Sequence, residues 1–174
     1  MIVKQTDIII LRGVPASGKS QSAESLATFF PKGVRIEVDN LRNMVISPDW
    51  KNQSEHINIL SLSTKVVTEF LELGFKPVIV VDTFSGDKIL KFLADLQVLN
   101  SELSIKIFGL HVSEKELIKR IESRESWECR DVNICLRLNG DVLKFMHDNE
   151  FQINTTGLLP LDTAKIMYEQ ICAD

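Results

Sequence analysis

Gly13-Val14-Pro15-Ala16-Ser17-Gly18-Lys19-Ser20 fits the phosphate-binding loop pattern G-x-x-x-x-G-K-[ST] without a gap. The segment before it, Asp7-Ile8-Ile9-Ile10-Leu11, reads as a buried strand, and Ser22 to Phe30 reads as an amphipathic helix. Strand, glycine-rich loop and helix in that order aim the loop's backbone N–H groups and the positive end of the helix at one anion. Lys19 would then reach the β- and γ-phosphates of a nucleoside triphosphate, and the Ser20 hydroxyl would bind Mg²⁺. The alternative is a glycine-rich turn that carries a lysine by chance, and the flanking strand and helix speak against it.

The bulk of the chain bounds what that loop can serve. A length of 174 residues predicts a single domain over 1–174, large enough to bury roughly 70% of the surface its unfolded chain exposes. Hydrophobic residues make up 44% and charged residues 25%, the balance of a globular protein rather than a disordered one. Twenty basic against twenty-four acidic residues give a net charge of −4, which argues against broad, sequence-independent binding to long nucleic acid. Met1 to Thr6 show no positive n-region, apolar core or cleavage site, so no export signal is expected. The apolar runs are strand-sized, so no membrane span is expected either. Cys129, Cys135 and Cys172 form no C-x-x-C pair and leave an odd count, which points to a reducing, cytoplasmic setting. Cys129 lies among arginines that would favour a thiolate, although a passive side chain is the commoner case.

Hydrophobic periodicity organises the remainder. Ala23, Leu26, Ala27 and Phe30 share one helical face, and Pro31 and Gly33 end that helix. Val34 to Val38 alternates as a half-exposed strand, followed by Asp39 and Asn40; a long helix is expected from about Glu55 to Leu73, closed by Gly74. Pro77-Val78-Ile79-Val80-Val81 is a continuous apolar run ending in Asp82, as in a parallel strand covered on both faces. Lys88 to Leu99 reads as a helix and Ile105 to Leu110 as a strand, and Ser113 with Glu116 reads as a capping box opening the next helix. Glu122 to Arg130 breaks the pattern with charges. A helix over Val132 to His147, a strand over Phe151 to Asn154 and a terminal amphipathic helix complete the chain. Five strands separated by helices, with no hairpin signal, predict a parallel α/β sheet with helices on both faces. Ligands of such sheets bind beyond the carboxyl ends of the strands, where Gly13, Asp39, Asp82 and the turn after Asn154 would meet.

Phosphoryl transfer needs a γ-phosphate held in line, its charge neutralised, and an acceptor oxygen relieved of its proton. Asp39 would project into the acceptor side as general base, and Arg42, three residues on, would grip an anionic group of the acceptor. Asp39 capping a helix that begins at Leu41, with Arg42 a solvated charge, is the even alternative. Asp82 would hold Mg²⁺ directly or through water, with Thr83 beside it on the acceptor side; a carboxylate ending a strand is also a common turn starter. Arg120 and Arg124, spaced i, i+4, would close as a mobile lid over about 120–131, against the reading of a solvated face paired with Glu116, Glu122 and Glu125. Trp50 and Phe84 lie near the acceptor rim, where they would stack on a base or simply pack. His56, His111 and His147 share no ligand spacing with one another or with the cysteines.

In these stretches the chain resembles the polynucleotide 5′-hydroxyl kinases and related small P-loop kinases. Gly13 to Ser20 is similar to that family's loop, proline included, and Val38-Asp39-Asn40-Leu41-Arg42 to its D-x-x-R acceptor motif. Val80-Val81-Asp82-Thr83 resembles the third-strand motif, and Glu116 to Arg124 the lid, with two arginines at the same spacing. Thr155-Thr156-Gly157-Leu158 resembles the last-strand turn that lies beside the nucleotide base in many small kinases. The resemblance implies a three-layer fold with strand order 2-3-1-4-5, ATP as donor, Mg²⁺ as cofactor, and nucleotide contacts from Gly13 through Gln21. Family members often carry Thr where Gln21 stands. It further implies Asp39 as base, Arg42 on the phosphate beside the acceptor, and Lys19, Arg120 and Arg124 in charge stabilisation.

The expected activity is therefore transfer of a γ-phosphate to a hydroxyl, with a nucleic-acid 5′ end as first choice of acceptor and no partner protein. A small-molecule hydroxyl is the second reading, favoured by the acidity of the chain. A slow nucleotide-hydrolysing switch is the third, and Asp39 argues against it because a switch needs no acceptor base.

Overall fold

β1 (Ile8–Gly13) is buried over its entire length because it lies in the middle of a five-stranded sheet. β3 (Val78–Asp82) pairs with it on one side and β4 (Ile105–His111) on the other, and β2 (Val34–Glu37) and β5 (Glu150–Asn154) take the edges. All pairings are parallel and the order is β2-β3-β1-β4-β5, the expected P-loop kinase arrangement. The computed structural model describes residues 6–126 and 128–173. Residues 1–5, which carry most of the segment read for an export signal, lie outside the described residues, as does position 127 within the expected lid.

The three central strands alternate their side chains between two apolar layers. Ile8, Ile10, Val78, Val80 and Ile107 pack beneath α3 (Gln53–Glu72) and α4 (Lys88–Leu99), joined by Phe84, Phe92 and Leu96. Ile9, Leu11, Ile79, Val81, Phe108 and Leu110 pack beneath α1 (Lys19–Ala27) and α7 (Pro160–Cys172), joined by Leu26, Ala164 and Met167. Each such side chain, taken fully from water, contributes roughly 1.5–3 kcal/mol. A third, smaller cluster sets Val14 against Leu117 and Ile121 of α5 (Glu114–Glu122) and Cys135 of α6 (Val132–Lys144). No described helix is long and apolar enough to cross a membrane.

Several element ends differ from the periodicity reading, each for a local reason. α1 begins at Lys19 rather than Ser22, because the loop's own N–H groups feed directly into the helix. β2 stops at Glu37, and the short α2 (Val38–Arg42) follows at once, so Asp39 stands in its first turn rather than in a coil. α3 starts at Gln53, capped by the Asn52 side chain, which accepts from the Glu55 N–H at 3.1 Å. Pro77 stays outside β3 and follows a cis peptide bond. Ser113 is the N-cap residue of α5, but its side chain makes no cap hydrogen bond, so the capping box is not closed. α6 ends at Lys144 instead of reaching His147.

One buried ion pair holds the carboxyl end of the sheet. Arg12, opposite Asp82 and Gly109 in the ladder, is wholly buried and pairs with the equally buried Glu150 of β5 at 2.8 Å. Nη1 also donates to the Phe145 carbonyl and Nη2 to those of Phe84 and Val142, tying the β3–α4 loop and the end of α6 to the strand that leads into the phosphate loop, while Nε is buried without a partner. Glycine at 109 leaves room for this pair, since a Cβ there would collide with the Glu150 carboxylate and the Gln152 side chain.

Candidate active site

The loop from Gly13 to Ser20 connects β1 to α1, and its second half, Ala16 to Ser20, lines a cleft of about 440 Å³ together with Gln21, Arg120, Arg124 and Thr155. That volume is within the usual range for a small-molecule site. Gly18 adopts φ 91°, a left-handed conformation that other residues rarely take, and so turns the chain into the helix. Val14 is buried as a packing residue, Pro15 and Ala16 are half-buried, and Gln21 is exposed at the cleft. The Ser17 hydroxyl is buried without a hydrogen-bond partner, and so is Nη1 of Arg124. Buried polar atoms are ordinarily satisfied, so a pair of orphaned donors facing one cleft marks a place for an anionic ligand.

Beyond the loop, Lys19, Asp39 and Asp82 come together although 20 and 43 residues separate neighbours in sequence. Burial pushes the Lys19 ammonium below its ordinary range, with Asp39 and Asp82 pulling in the opposite direction. The two carboxylates are driven apart. Asp39 keeps an exposed edge, yet its neighbours desolvate the carboxyl, and this burial, reinforced by the charge of Asp82, raises it above the usual range. Asp82 is also desolvated, but the His56 hydrogen bond and charge, the Phe84 N–H and Lys19 outweigh burial and hold it below that range. His56 Nε2 lies 3.3 Å from Oδ1 of Asp82, and the Phe84 N–H donates to Oδ2 at 2.8 Å. Phe84 reaches this position at φ 48°, and Thr83 between them is half-buried.

Sequence reasoning passed over His56 because no spacing relates it to another ligand; the cap at Asn52 sets which face of α3 it occupies. Arg42 is not the solvated charge of the alternative reading. It is 3% exposed, bonded to Glu55 at 3.2 Å and to the Asp49 carbonyl at 2.6 Å, and its guanidinium lies 4.5 Å over the Trp50 ring. It fastens the 43–52 loop to the start of α3. Within that loop Met44, Ile46 and Trp50 are exposed, whereas Phe84 is a core residue whose ring packs tilted against that of Phe92, with centroids 5.1 Å apart.

The lid arginines have distinct attachments. Arg120 bonds to Glu116 and, through Nη1 and Nη2, to Thr155. Arg124 bonds to Glu128 at 2.6 Å through Nη2, leaving Nη1 without a partner, and Arg130 donates to the Glu122 carbonyl. Cys129 Sγ is 3.6 Å from Cys135 Sγ; burial and this neighbour push the Cys135 thiol up to about 12.

A glycine-rich phosphate loop at the carboxyl end of the central strand of a 2-3-1-4-5 parallel sheet defines a P-loop protein of kinase-type fold. The chain belongs to the AAA domain family, whose model matches residues 8–134. No curated protein matches the chain in sequence. Among solved structures, it is similar in fold to a sugar kinase from Janibacter sp. HTCC2649, with a TM-score of 0.67, 14% identity, and 93% of this chain and 92% of that one covered. The tunicamycin resistance protein of Deinococcus radiodurans gives a TM-score of 0.68 at 16% identity, with 96% of each chain covered. A chain of the Pnkp1/Rnl/Hen1 RNA repair complex gives 0.64 at 21% identity over 82% of this chain and 47% of that one.

Proposed function

We propose that the protein is a Mg²⁺-dependent kinase that transfers the γ-phosphate of ATP to the hydroxyl of a small molecule. The observation that carries the reading is the meeting of Asp39 and Asp82 around Lys19 at the end of the phosphate loop, where their surroundings displace the two carboxyls in opposite directions, Asp39 up and Asp82 down. A carboxyl with a raised pKa is the better proton acceptor, and one held ionised suits a cation, so the environments divide the two roles.

In the proposed reaction the acceptor oxygen attacks the γ-phosphorus while Asp39 takes its proton. The bond to the β–γ bridging oxygen breaks, and ADP leaves with the electron pair. Lys19 and the loop N–H groups hold the phosphates, the orphaned Ser17 hydroxyl offers a further donor, and Arg124 Nη1, already buried and unpartnered, meets charge on the transferring group. Arg120 holds its station at the same cleft through Thr155. Ser20 and Asp82 fit Mg²⁺, a hard cation that takes oxygen ligands, because Asp82 is kept ionised and Ser20 opens α1 beside the cleft. When bound, that ion would neutralise charge on the β- and γ-phosphates. Three free thiols suit a reducing cytoplasm.

The acceptor reading moves from a nucleic-acid 5′ end to a small molecule because Arg42 is engaged by Glu55 and backbone carbonyls, and the net charge is −4. Fold relatives include a sugar kinase, an antibiotic resistance protein and an RNA repair chain, so both acceptor classes occur on this architecture. Transfer from γ-labelled ATP to a 5′-hydroxyl oligonucleotide and to a panel of polyols, sugar acids and nucleosides separates them. Label on a small molecule alone supports the proposal; label on the oligonucleotide alone overturns its acceptor.

A further inference from the structure

Cys129 and Cys135 take no part in the chemistry assigned to the cleft, yet their sulfur atoms stand 3.6 Å apart. A disulfide would shorten that separation to about 2.05 Å, a change within reach of side-chain rotation. Cys135 is wholly buried in the cluster that holds Val14, Leu117 and Ile121, and its N–H donates to the Asp131 carbonyl at 3.0 Å. Its place in the opening of α6 is therefore fixed. Cys129 is exposed, two residues before the Asp131 cap, and Arg130 next to it is tied to the Glu122 carbonyl at 3.1 Å. One member of the pair is thus open to a reagent from solvent and the other is shielded from it. Cys172 is exposed at the end of α7, where its neighbour is Tyr168.

Such a pair suits thiol–disulfide exchange. The Cys129 thiolate attacks one sulfur of a low-molecular-weight disulfide and releases the first thiolate, leaving a mixed disulfide. Cys135 then gives up its proton, attacks Cys129 Sγ and expels the second thiolate. Two cysteine thiols are oxidised, the reagent is reduced to two thiols, and those take up the two protons. Contact between the sulfurs makes the second step intramolecular, which favours it over attack by free thiol. Return by a reducing thiol at the exposed Cys129 Sγ must expel Cys135, a poor leaving group because burial and Cys129 push its thiol up to about 12. Disulfides in a reducing compartment are characteristically transient and redox-sensing.

The pair adjoins the phosphate site. Cys129 follows Glu128, which lines the cleft and holds Arg124 through Nε at 3.0 Å and Nη2 at 2.6 Å. Cys135 packs in one cluster with Val14 of the phosphate loop. Because the sulfurs already touch, the bond would keep this arrangement and restrain the segment that positions Arg124. A group restrained in its binding arrangement loses less entropy when ligand arrives.

We infer that Cys129 and Cys135 form a reversible intramolecular disulfide by exchange with a low-molecular-weight disulfide, and that this bond tightens nucleotide binding. The covalent step stands independently of the kinase reading above; the effect on nucleotide rests on it.

The test exposes the reduced full chain to excess oxidised glutathione, blocks remaining thiols with N-ethylmaleimide and maps tryptic peptides by mass spectrometry. Cleavage after Arg130 separates the two cysteines, so a linked peptide pair identifies the bond. The linked pair is expected in monomeric protein, lost on adding dithiothreitol, and retained at ratios of reduced to oxidised glutathione that strip glutathione from Cys172. Cys135→Ala should stop at a Cys129–glutathione mixed disulfide, and Cys129→Ser, a change at an exposed position, should leave Cys135 unmodified. A mixed disulfide that persists at Cys129 in the parent, or a linkage found only between two chains, overturns the inference. Calorimetry with Mg²⁺ and a non-hydrolysable ATP analogue reads the second part. The oxidised parent should bind about threefold or more tightly than the reduced parent, with no change in Cys129→Ser treated alike. Equal affinity of the two forms overturns the coupling. Failure of the analogue to bind either form removes the nucleotide reading while a mapped disulfide stands.

Discussion

Arg120 and Thr155 are joined twice, Nη2 donating to the Thr155 carbonyl at 2.9 Å and Nη1 to its hydroxyl oxygen at 3.2 Å. The same hydroxyl donates to the Ser17 carbonyl at 2.9 Å, so one buried threonine links the end of α5, the turn after β5 and the phosphate loop. Replacing it by valine keeps the shape and the backbone bond from Arg120 Nη2 but removes the hydroxyl's bonds to Arg120 Nη1 and to the Ser17 carbonyl, leaving those groups unpaired. Thr155→Val is expected to cost about 1–3 kcal/mol of stability by urea unfolding. It should also weaken affinity for Mg²⁺·ATP, measured by calorimetry. Unchanged nucleotide affinity would reduce Thr155 to a packing residue.

The pH dependence of turnover follows from Asp39. The base works deprotonated, and its pKa is raised by burial and by Asp82. Turnover should therefore rise with pH along an acid limb displaced above the ordinary carboxylate range. The stability sign runs the other way. A raised folded pKa means that protonation favours the folded state, and that contribution is lost as pH rises through it. Asp39→Asn should consequently be at least as stable as the parent near neutrality, by thermal melting, while losing the limb.

Asp82 has the opposite linkage. Its lowered pKa contributes stability above the ordinary Asp range, and that stability is lost as pH falls through the folded value. His56→Leu removes the partner 3.3 Å away, so acid unfolding should begin at higher pH. More Mg²⁺ should also be needed for half-maximal turnover. A metal titration identical to the parent's would detach His56 from the function of Asp82.

Glu150→Leu leaves Arg12 buried with its charge uncompensated. Breaking a buried pair from one side typically costs about 3–5 kcal/mol, readable in denaturant midpoints. Loss of less than about 1 kcal/mol would mean that the Phe84, Val142 and Phe145 carbonyls alone satisfy the guanidinium.

What was legible in the chain was what short-range pattern encodes. The apolar run at β1, the loop that follows and the strand ending in Asp82 are contiguous, and they suffice for the parallel sheet and its carboxyl rim. Arg12 was not legible as a core residue, because its partner Glu150 is 138 residues away and only the β1–β4–β5 pairing brings them together. The same holds for His56 and Asp82, and for Lys88 with Gln53, which join separate βα units. Arg42 was read as a grip on the acceptor's anionic group or else a solvated charge, because its engagement depends on how the aperiodic 43–52 loop folds back over it. The helix start at Val38 was missed for a different reason: Val38 continues the alternation of β2, and only its burial beneath α3 distinguishes a helical turn from one more strand residue.

Single-turnover transfer of the γ-phosphate from Mg²⁺·ATP to the acceptor hydroxyl, compared between the parent and Asp39→Asn, tests the central claim most directly. With nucleotide affinity unchanged, the variant should transfer about 10²–10⁴-fold more slowly, the range typical of a lost general base. Transfer at the parent's rate in Asp39→Asn would contradict the assignment of Asp39 as the acceptor's base.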